Sequence, residues 1–239
     1  MAGQMVRWRE FVDPARFERA AADFILAVAA EAIAERGAFR IVLAGGETPR
    51  PIYERVACAH ADWDRWHVYF GDERCLPPDD PGRNSVMARS AWLDRVAIPP
   101  PQVHVIEAER GPEAGAQRYA ATVAGIGAFD LVLLGLGEDG HTASIFPGGP
   151  WERLADRDPA QDGAVMPPVV PVFDAPKPPP GRISLSPGRL GDARRVLFVV
   201  AGAGKRVAVA RWQAGDPIPA SRIRPRGGVD VFFLDSARR

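Results

Sequence analysis

Behind Asp13-Pro14, a capping and first-turn pair, apolar residues recur at Phe17, Ala20, Ala21, Phe24, Ile25, Val28, Ala29, Ala32 and Ile33. That i, i+3, i+4 rhythm predicts a long amphipathic helix closed by Gly37. The pattern then switches. "FRIVLAGG" (39–46) is a short apolar run ended by glycines, as expected of a buried strand, and "RPIYERVACA" resumes a helical rhythm. "WHVYF" (66–70) predicts a second strand, the segment near 84–96 a helix, "QVHVIEA" (102–108) a strand and "PEAGAQRYAATVAGI" (112–126) a helix. "FDLVLLGLG" (129–137) is the clearest buried strand, and "RISLS", "RRVLFVVAG" and "VDVFFLD" supply three more, with a short helix from about Gly204 to Gln213. Residues 155–181 form a proline-rich excursion, within which "VVPVF" fits only an edge strand because proline cannot donate inside a sheet. Strands alternating with helices predict an α/β fold, a mostly parallel, Rossmann-like sheet covered on both faces. Neither a repeat nor a linker divides the chain, so a single domain over residues 1–239 is expected.

Composition narrows the class. The chain has 239 residues, 46% of them hydrophobic and 25% charged, and a formal net charge of zero. It therefore offers no overall basic field for nucleic acid or an anionic membrane. The two cysteines, Cys58 and Cys75, lack zinc-ligand spacing and fit a reducing cytoplasm. The charged N-terminal segment lacks a signal-peptide core, and no stretch approaches the apolar length of a membrane span. Of the 30 basic residues only Lys177 and Lys205 are lysine. Lys177, embedded in "DAPKPPP", reads as a loop residue.

In open parallel sheets, ligands bind beyond the carboxyl ends of the strands. Four polar or glycine-rich turns follow strands here: "AGGETP" (44–49), "GDER" (71–74), "GLGEDGH" (135–141) and "AGAGKR" (201–206). Gly135, Gly137 and Gly140 match the spacing of a dinucleotide fingerprint. That fingerprint also needs a helix opening at the third glycine and an acidic strand end some 20 residues on. Pro147, Gly148, Gly149 and Pro150 leave room for less than two turns of helix, and Asp156 and Asp158 lie in a hydrophilic segment. The glycines instead suit a tight loop of exposed N–H groups beside His141, which is either a base near neutral pH or a structural tie. Gly45, Gly46 and Thr48 form either an anion-binding turn or an ordinary strand–helix turn without the Walker ending. Arg74, with Asp72 and Glu73, is either an anion clamp or part of a salt-bridge cluster. Lys205 and Arg206 start a helix, and Arg182 precedes "ISLS" on the same expected edge. His60, His67 and His104 have no ligand spacing, and there is no G-x-S-x-G elbow, so neither a metal site nor a serine hydrolase is indicated.

Taken together, "LAGGETPRPIYERV", "VYFGDERCLPPDDPGRNSVMAR", "FDLVLLGLGEDGHTASIFPG", "APKPPPGRISLS" and "RRVLFVVAGAGKR" resemble, in order, the signature blocks of the 6-phosphogluconolactonase family. The resemblance implies a three-layer α/β/α sandwich and cofactor-independent hydrolysis of 6-phosphogluconolactone in the pentose phosphate pathway. It assigns water activation to His141, carbonyl polarisation or phosphate binding to Arg74, and orientation of neighbours to Asp72 and Asp139. It assigns the phosphate pocket to Gly45, Gly46, Thr48, Lys205 and Arg206, with Arg182 a further candidate. The partner it implies is the sugar-phosphate lactone, bound by a cytoplasmic monomer or small homo-oligomer.

Two segments depart from the family pattern. Ala44-Gly45-Gly46-Glu47-Thr48-Pro49 stands where S-G-G-S-T-P is usual, placing a carboxylate at the phosphate turn. Such a charge repels a phosphate unless it points away or pairs with arginine. Arg182-Ile183-Ser184-Leu185-Ser186 replaces R-[IV]-T-L-T and keeps the hydroxyls. Two alternatives stand beside the lactonase. A glucosamine-6-phosphate deaminase resembles the glycine turn and the D-G-H loop but needs an acid shortly after the histidine, where this chain has Ile145-Phe146-Pro147-Gly148. A non-catalytic sugar-phosphate sensor would usually carry a DNA-binding helix pair, and none precedes residue 39.

Overall fold

A computed structural model describes residues 5–149 and 166–235. Helix α1 (Pro14–Arg36) starts where the pattern places it: the Asp13 carboxylate accepts from the Arg16 amide at 2.9 Å, a cap worth about 1 kcal/mol. Gly37, at φ 75°, closes it in the left-handed region. Strands β1 (Val6–Phe11), β2 (Phe39–Leu43), β3 (Trp66–Phe70), β5 (Phe129–Leu134), β8 (Ala193–Ala201) and β9 (Val229–Leu234) form one parallel sheet in the order β1-β9-β8-β5-β2-β3. Every residue of β5 and of β9 is buried. Alternation along the strands sends neighbouring residues to opposite faces. On one face Phe24 of α1 meets Phe232, and on the other Trp212 of helix α6 (Arg206–Gln213) meets Trp8 and Phe198. These are the helical layers of an α/β/α sandwich.

At three places the structure adds to or departs from the sequence pattern. Strand β1, "VRWREF", carries no buried-strand signal because charges occupy half of it. It sits at the sheet edge, where Arg7, Arg9 and Glu10 reach the exterior, and Arg7 grips Asp230 of β9 at 2.8 and 2.9 Å. The expected strand 102–108 makes only a single bridge, Val103 to Val68. Past it the carbonyl of Ile106 accepts from Arg83 Nη2 at 2.6 Å, so that backbone group is claimed by a buried side chain and leaves no ladder to continue. The segment "RISLS" does not join the parallel sheet. As β7 (Arg182–Leu185) it is the centre of a small antiparallel sheet between β4 (Asp72–Arg74) and β6 (Val169–Val172). Strand β6, containing Pro171, is an edge as expected. The short helix α5 (Pro187–Gly191), capped by the Ser186 hydroxyl, leads from β7 back to β8.

The small sheet sets up the site. Gly71 donates to the Leu43 carbonyl of β2 at 3.0 Å and accepts from Leu185 of β7 at 2.8 Å, joining the two sheets at the end of β3. Helix α4 (Pro112–Val123) supports both: the Tyr119 hydroxyl accepts from and donates to the Phe70 backbone at 2.8 and 3.0 Å. At Gly115 of α4 a Cβ would lie 2.9 Å from the Glu107 carbonyl oxygen, a backbone atom that cannot swing aside, so glycine lets the helix pack against the turn before it. Residues 155–165 of the proline-rich excursion lie outside the described residues.

Candidate active site

Beyond the carboxyl end of β5 the chain turns tightly. Gly137 donates to the His141 carbonyl at 2.7 Å and Gly140 to the Gly137 carbonyl at 3.0 Å. The turn presents His141 with its Nδ1 2.5 Å from Asp139 Oδ1, which also accepts the His141 amide at 3.0 Å. With Nδ1–H given to the carboxylate, the Nε2 lone pair is the one available for chemistry. Gly137 has a steric reason of its own: a Cβ there would stand 1.9 Å from His141 Nδ1 and 2.6 Å from Asp139 Oδ1. The glycine spacing that imitates a dinucleotide fingerprint therefore makes room for a histidine–aspartate pair. Burial lowers the His141 pKa below its ordinary 6.5, against the raising effect of Asp139. The ring is thus neutral at pH 7, the state a base requires. Ala143, in the cleft wall two residues on, holds φ at 47°, a strained conformation of the kind that gathers at functional loops.

The three charged residues of "GDER" have three different tasks. Asp72 Oδ2 accepts the Ser144 hydroxyl at 2.5 Å, and Oδ1 accepts Asn84 Nδ2 at 3.1 Å, tying the histidine loop to helix α3 (Asn84–Ala91). Glu73 is wholly buried and accepts the amides of Arg74, Asn84 and Ser85 at 2.9, 2.7 and 2.8 Å. It anchors the first turn of α3, where unpaired N–H groups and the helix dipole favour a carboxylate. Arg74 points into the cleft and donates to the Gly82 carbonyl, while its buried Nε has no partner among the described residues.

The glycine turn closes the opposite wall. At Gly45 a Cβ would lie 1.9 Å from Asn84 Oδ1, so this position must be glycine for the Asn84 amide to reach Asp72. Gly46, at φ 93°, takes the left-handed conformation that opens the turn. Thr48 precedes helix α2 (Pro49–Val56) and makes no side-chain cap, so its hydroxyl is not committed to the helix. Glu47, the departure from the family pattern, is 89% exposed at the rim and lies 3.6 Å from Arg50. It lines the rim of the cleft, where it is paired with arginine.

Gly45, Gly46, Thr48, Asp72, Arg74, His141, Arg182 and Lys205 thus all line one cleft of about 420 Å³, in the size range of small-molecule sites. Asp139 acts on it through His141. Arg206 does not line it: its guanidinium is drawn to Asp235 at 2.8 and 3.0 Å, past the end of β9. Arg182 is directed to backbone carbonyls instead of to open space. Two lining residues escape the sequence reading. Asn84 has no local signal, since its place follows from a long-range contact. Lys177 is masked by its prolines, although lysine is so rare in the chain. His67 and His104 stack on each other, with ring centroids 5.9 Å apart, away from the cleft. Among the described residues no helix is long and apolar enough to cross a membrane.

Replacing Asp139 by asparagine removes the carboxylate that holds the Nδ1–H tautomer and raises the His141 pKa. The expected result is a kcat lower by on the order of 10²-fold or more. The acid limb of the pH profile should also move to lower pH, because the main raising influence is gone while burial and Lys177 still lower the pKa, opposed only by the smaller pull of Asp72. An unmoved limb in the variant's rate profile counts against the pairing.

A parallel α/β/α sandwich with a histidine–aspartate pair and cations at its carboxyl edge defines a class of small-molecule enzymes acting on anionic substrates. The family model described as glucosamine-6-phosphate isomerases/6-phosphogluconolactonase matches residues 12–232, and the chain belongs to that family. Among curated relatives, the 6-phosphogluconolactonase of Synechocystis sp. is 40% identical over 86% of this chain and 85% of its own length. The human 6-phosphogluconolactonase is 35% identical over 84% and 80%. The solved 6-phosphogluconolactonase of Thermotoga maritima superposes with a TM-score of 0.86 at 26% identity, covering 97% of this chain and all (100%) of that one. A monomeric glucosamine-6-phosphate deaminase also shares the fold, with a TM-score of 0.78 at 20% identity over 97% of this chain and 98% of that one.

Proposed function

We propose that this protein hydrolyses 6-phospho-D-glucono-1,5-lactone to 6-phospho-D-gluconate, the lactone-opening step of the oxidative pentose phosphate pathway. One observation carries the reading: an aspartate-bound histidine lines one cleft together with Arg74 and Lys205. In the proposed sequence His141 Nε2 takes a proton from water as its oxygen attacks the lactone carbonyl. The carbonyl electrons move onto oxygen, and Arg74 together with loop amides stabilises that charge. As the tetrahedral intermediate collapses, the bond to the ring oxygen breaks and His141 returns its proton to that oxygen. Water is consumed and no cofactor or redox partner enters the balance. Gly45, Gly46, Thr48 and Lys205 hold the phosphate, at a turn whose amides and helix start favour anions. Asp72 and Asp139 hold the neighbouring groups in place. The segment Ile145–Gly148 supplies no acid for the extra proton transfers of a deaminase. The pathway and the two free cysteines fit a cytoplasmic location.

The test generates the lactone in situ and follows acid release at constant pH with a chelator present. Hydrolysis well above the spontaneous rate, unaffected by chelator, is expected, with no ammonia from glucosamine 6-phosphate. A rate equal to the spontaneous one overturns the proposal.

A further inference from the structure

The only two lysines of the chain, Lys177 and Lys205, both line this cleft, while every other basic residue is arginine. Among the described residues neither ammonium has an ion-pair partner, whereas arginines at 7, 36, 55, 189 and 206 are all paired with carboxylates. Lys177 is exposed, on a loop that cannot brace itself. Pro178, Pro179 and Pro180 have no N–H to donate, and the loop closes on a single bond from the Ala175 amide to the Pro180 carbonyl at 3.0 Å. The bracing comes from Arg182. Its Nη2 donates to the carbonyls of Lys177 and Pro178 at 2.9 and 3.3 Å, and its Nε to that of Pro179 at 3.2 Å. Arg182 is only 6% exposed, and its guanidinium lies 5.6 Å from the Phe146 ring centroid. A planar fork with fixed donors suits this clamp as no ammonium would.

Lys177 lines the same cleft as His141 and Lys205, on a loop that Arg182 pins at the Lys177 and Pro178 carbonyls. After burial and the opposing pull of Asp139, it is the cation that depresses the His141 pKa. After burial and the pull of Glu138, it is also the cation that depresses the Lys205 pKa. Two like charges facing one cleft repel unless an anion comes between them. A phosphate monoester carries close to two negative charges at pH 7, whereas a lactone carbonyl is charged only in passing. A compact ammonium is also a common phosphate ligand.

We infer that Lys177 is a substrate-binding residue that grips the substrate's phosphate opposite Lys205, and that Arg182 is the positioning residue that holds it there. The inference rests on the proposed function for the identity of the substrate. It gives Arg182 a positioning task beside the phosphate contact expected of it.

The experiment measures binding of the stable product, 6-phosphogluconate, by calorimetry, with unphosphorylated gluconate as the control. Lys177→Gln should weaken 6-phosphogluconate by roughly 10- to 10²-fold, the scale of one charge-assisted contact, and leave gluconate unchanged. In turnover it should raise KM with kcat nearly unaltered, as expected for a contact present in both ground and transition states. Arg182→Lys should reproduce the Lys177→Gln effect, and the double variant should add nothing further. Unchanged 6-phosphogluconate binding in Lys177→Gln, an equal loss for gluconate, or a fall in kcat at constant KM each overturns the assignment, as does wild-type protein that fails to bind 6-phosphogluconate. The two readings fail separately. Lys177-dependent binding without lactone hydrolysis sinks the proposed function alone, and lactone hydrolysis indifferent to Lys177 sinks this inference alone.

Discussion

Alanine at position 141 is expected to lower kcat by something like 10²–10⁴, the usual cost of losing a general base, while the protein stays folded. His141 is not part of the core. It stands on a loop whose shape is kept by backbone bonds and by Thr142 Oγ1 donating to the Gly135 carbonyl at 2.9 Å. Its ring touches Phe146, with centroids 4.7 Å apart, but fills no buried cavity. Truncation should therefore leave the melting temperature within a few degrees and the affinity for 6-phosphogluconate little changed. Circular dichroism and steady-state kinetics on one preparation check both halves. An unfolded variant, or one with wild-type kcat, removes His141 from the chemistry.

Glu73→Ala should act in the opposite way, on stability before catalysis. The side chain is wholly buried and takes three backbone amides, with Arg83 Nε 3.5 Å from the carboxylate. Arg83 is itself only 3% exposed and would retain Glu109 as its carboxylate partner. Removing one member of such a buried arrangement costs about 3–5 kcal/mol, or a melting temperature lower by roughly 6–20 °C for a chain of this size. Activity should fall as well, because Asp72 and Arg74 flank the anchored residue. Glu73→Gln keeps one acceptor and should lie between. A loss below about 2 °C by calorimetry would mean that α3 is held by something else.

Much of this fold is legible in the amino-acid pattern. The strands β2, β3, β5, β8 and β9 are apolar runs with turn residues after them, and burial on both faces makes such runs nearly continuous. Strand β1 is invisible to that rule because an edge strand tolerates charges on its open side. The run at 102–108 has the right composition but loses its ladder to Arg83, a residue about 20 positions away. Long-range claims of that kind leave no periodic trace. The site is legible as four turns that a parallel sheet must bring to one edge, and His141, Arg74, Thr48 and Lys205 do converge there. Which charge faces the cleft is not legible. Arg206 looks like a ligand by its place at a helix start, yet Asp235, at the end of the neighbouring β9, draws it aside. Lys177 looks like loop filling, and only the hydrogen bonds of Arg182 show why a proline-rich loop holds it over the cleft. Glu73 and Arg74 are adjacent in sequence and differ wholly in task, because strand alternation turns one inward to α3 and the other toward the cleft.

The most direct measurement is the pH dependence of kcat/KM for lactone hydrolysis, recorded for wild type and for the residual activity of His141→Ala. A base buried enough to titrate below 6.5 should be neutral and fully active at pH 7, with activity lost as acidification protonates it. The expected wild-type profile has an acid limb centred below that value, and the limb should vanish in His141→Ala. Titration of the substrate's own phosphate would persist in both. An identical acid limb in both proteins, or none in the wild type, would contradict the assignment of His141 as the base.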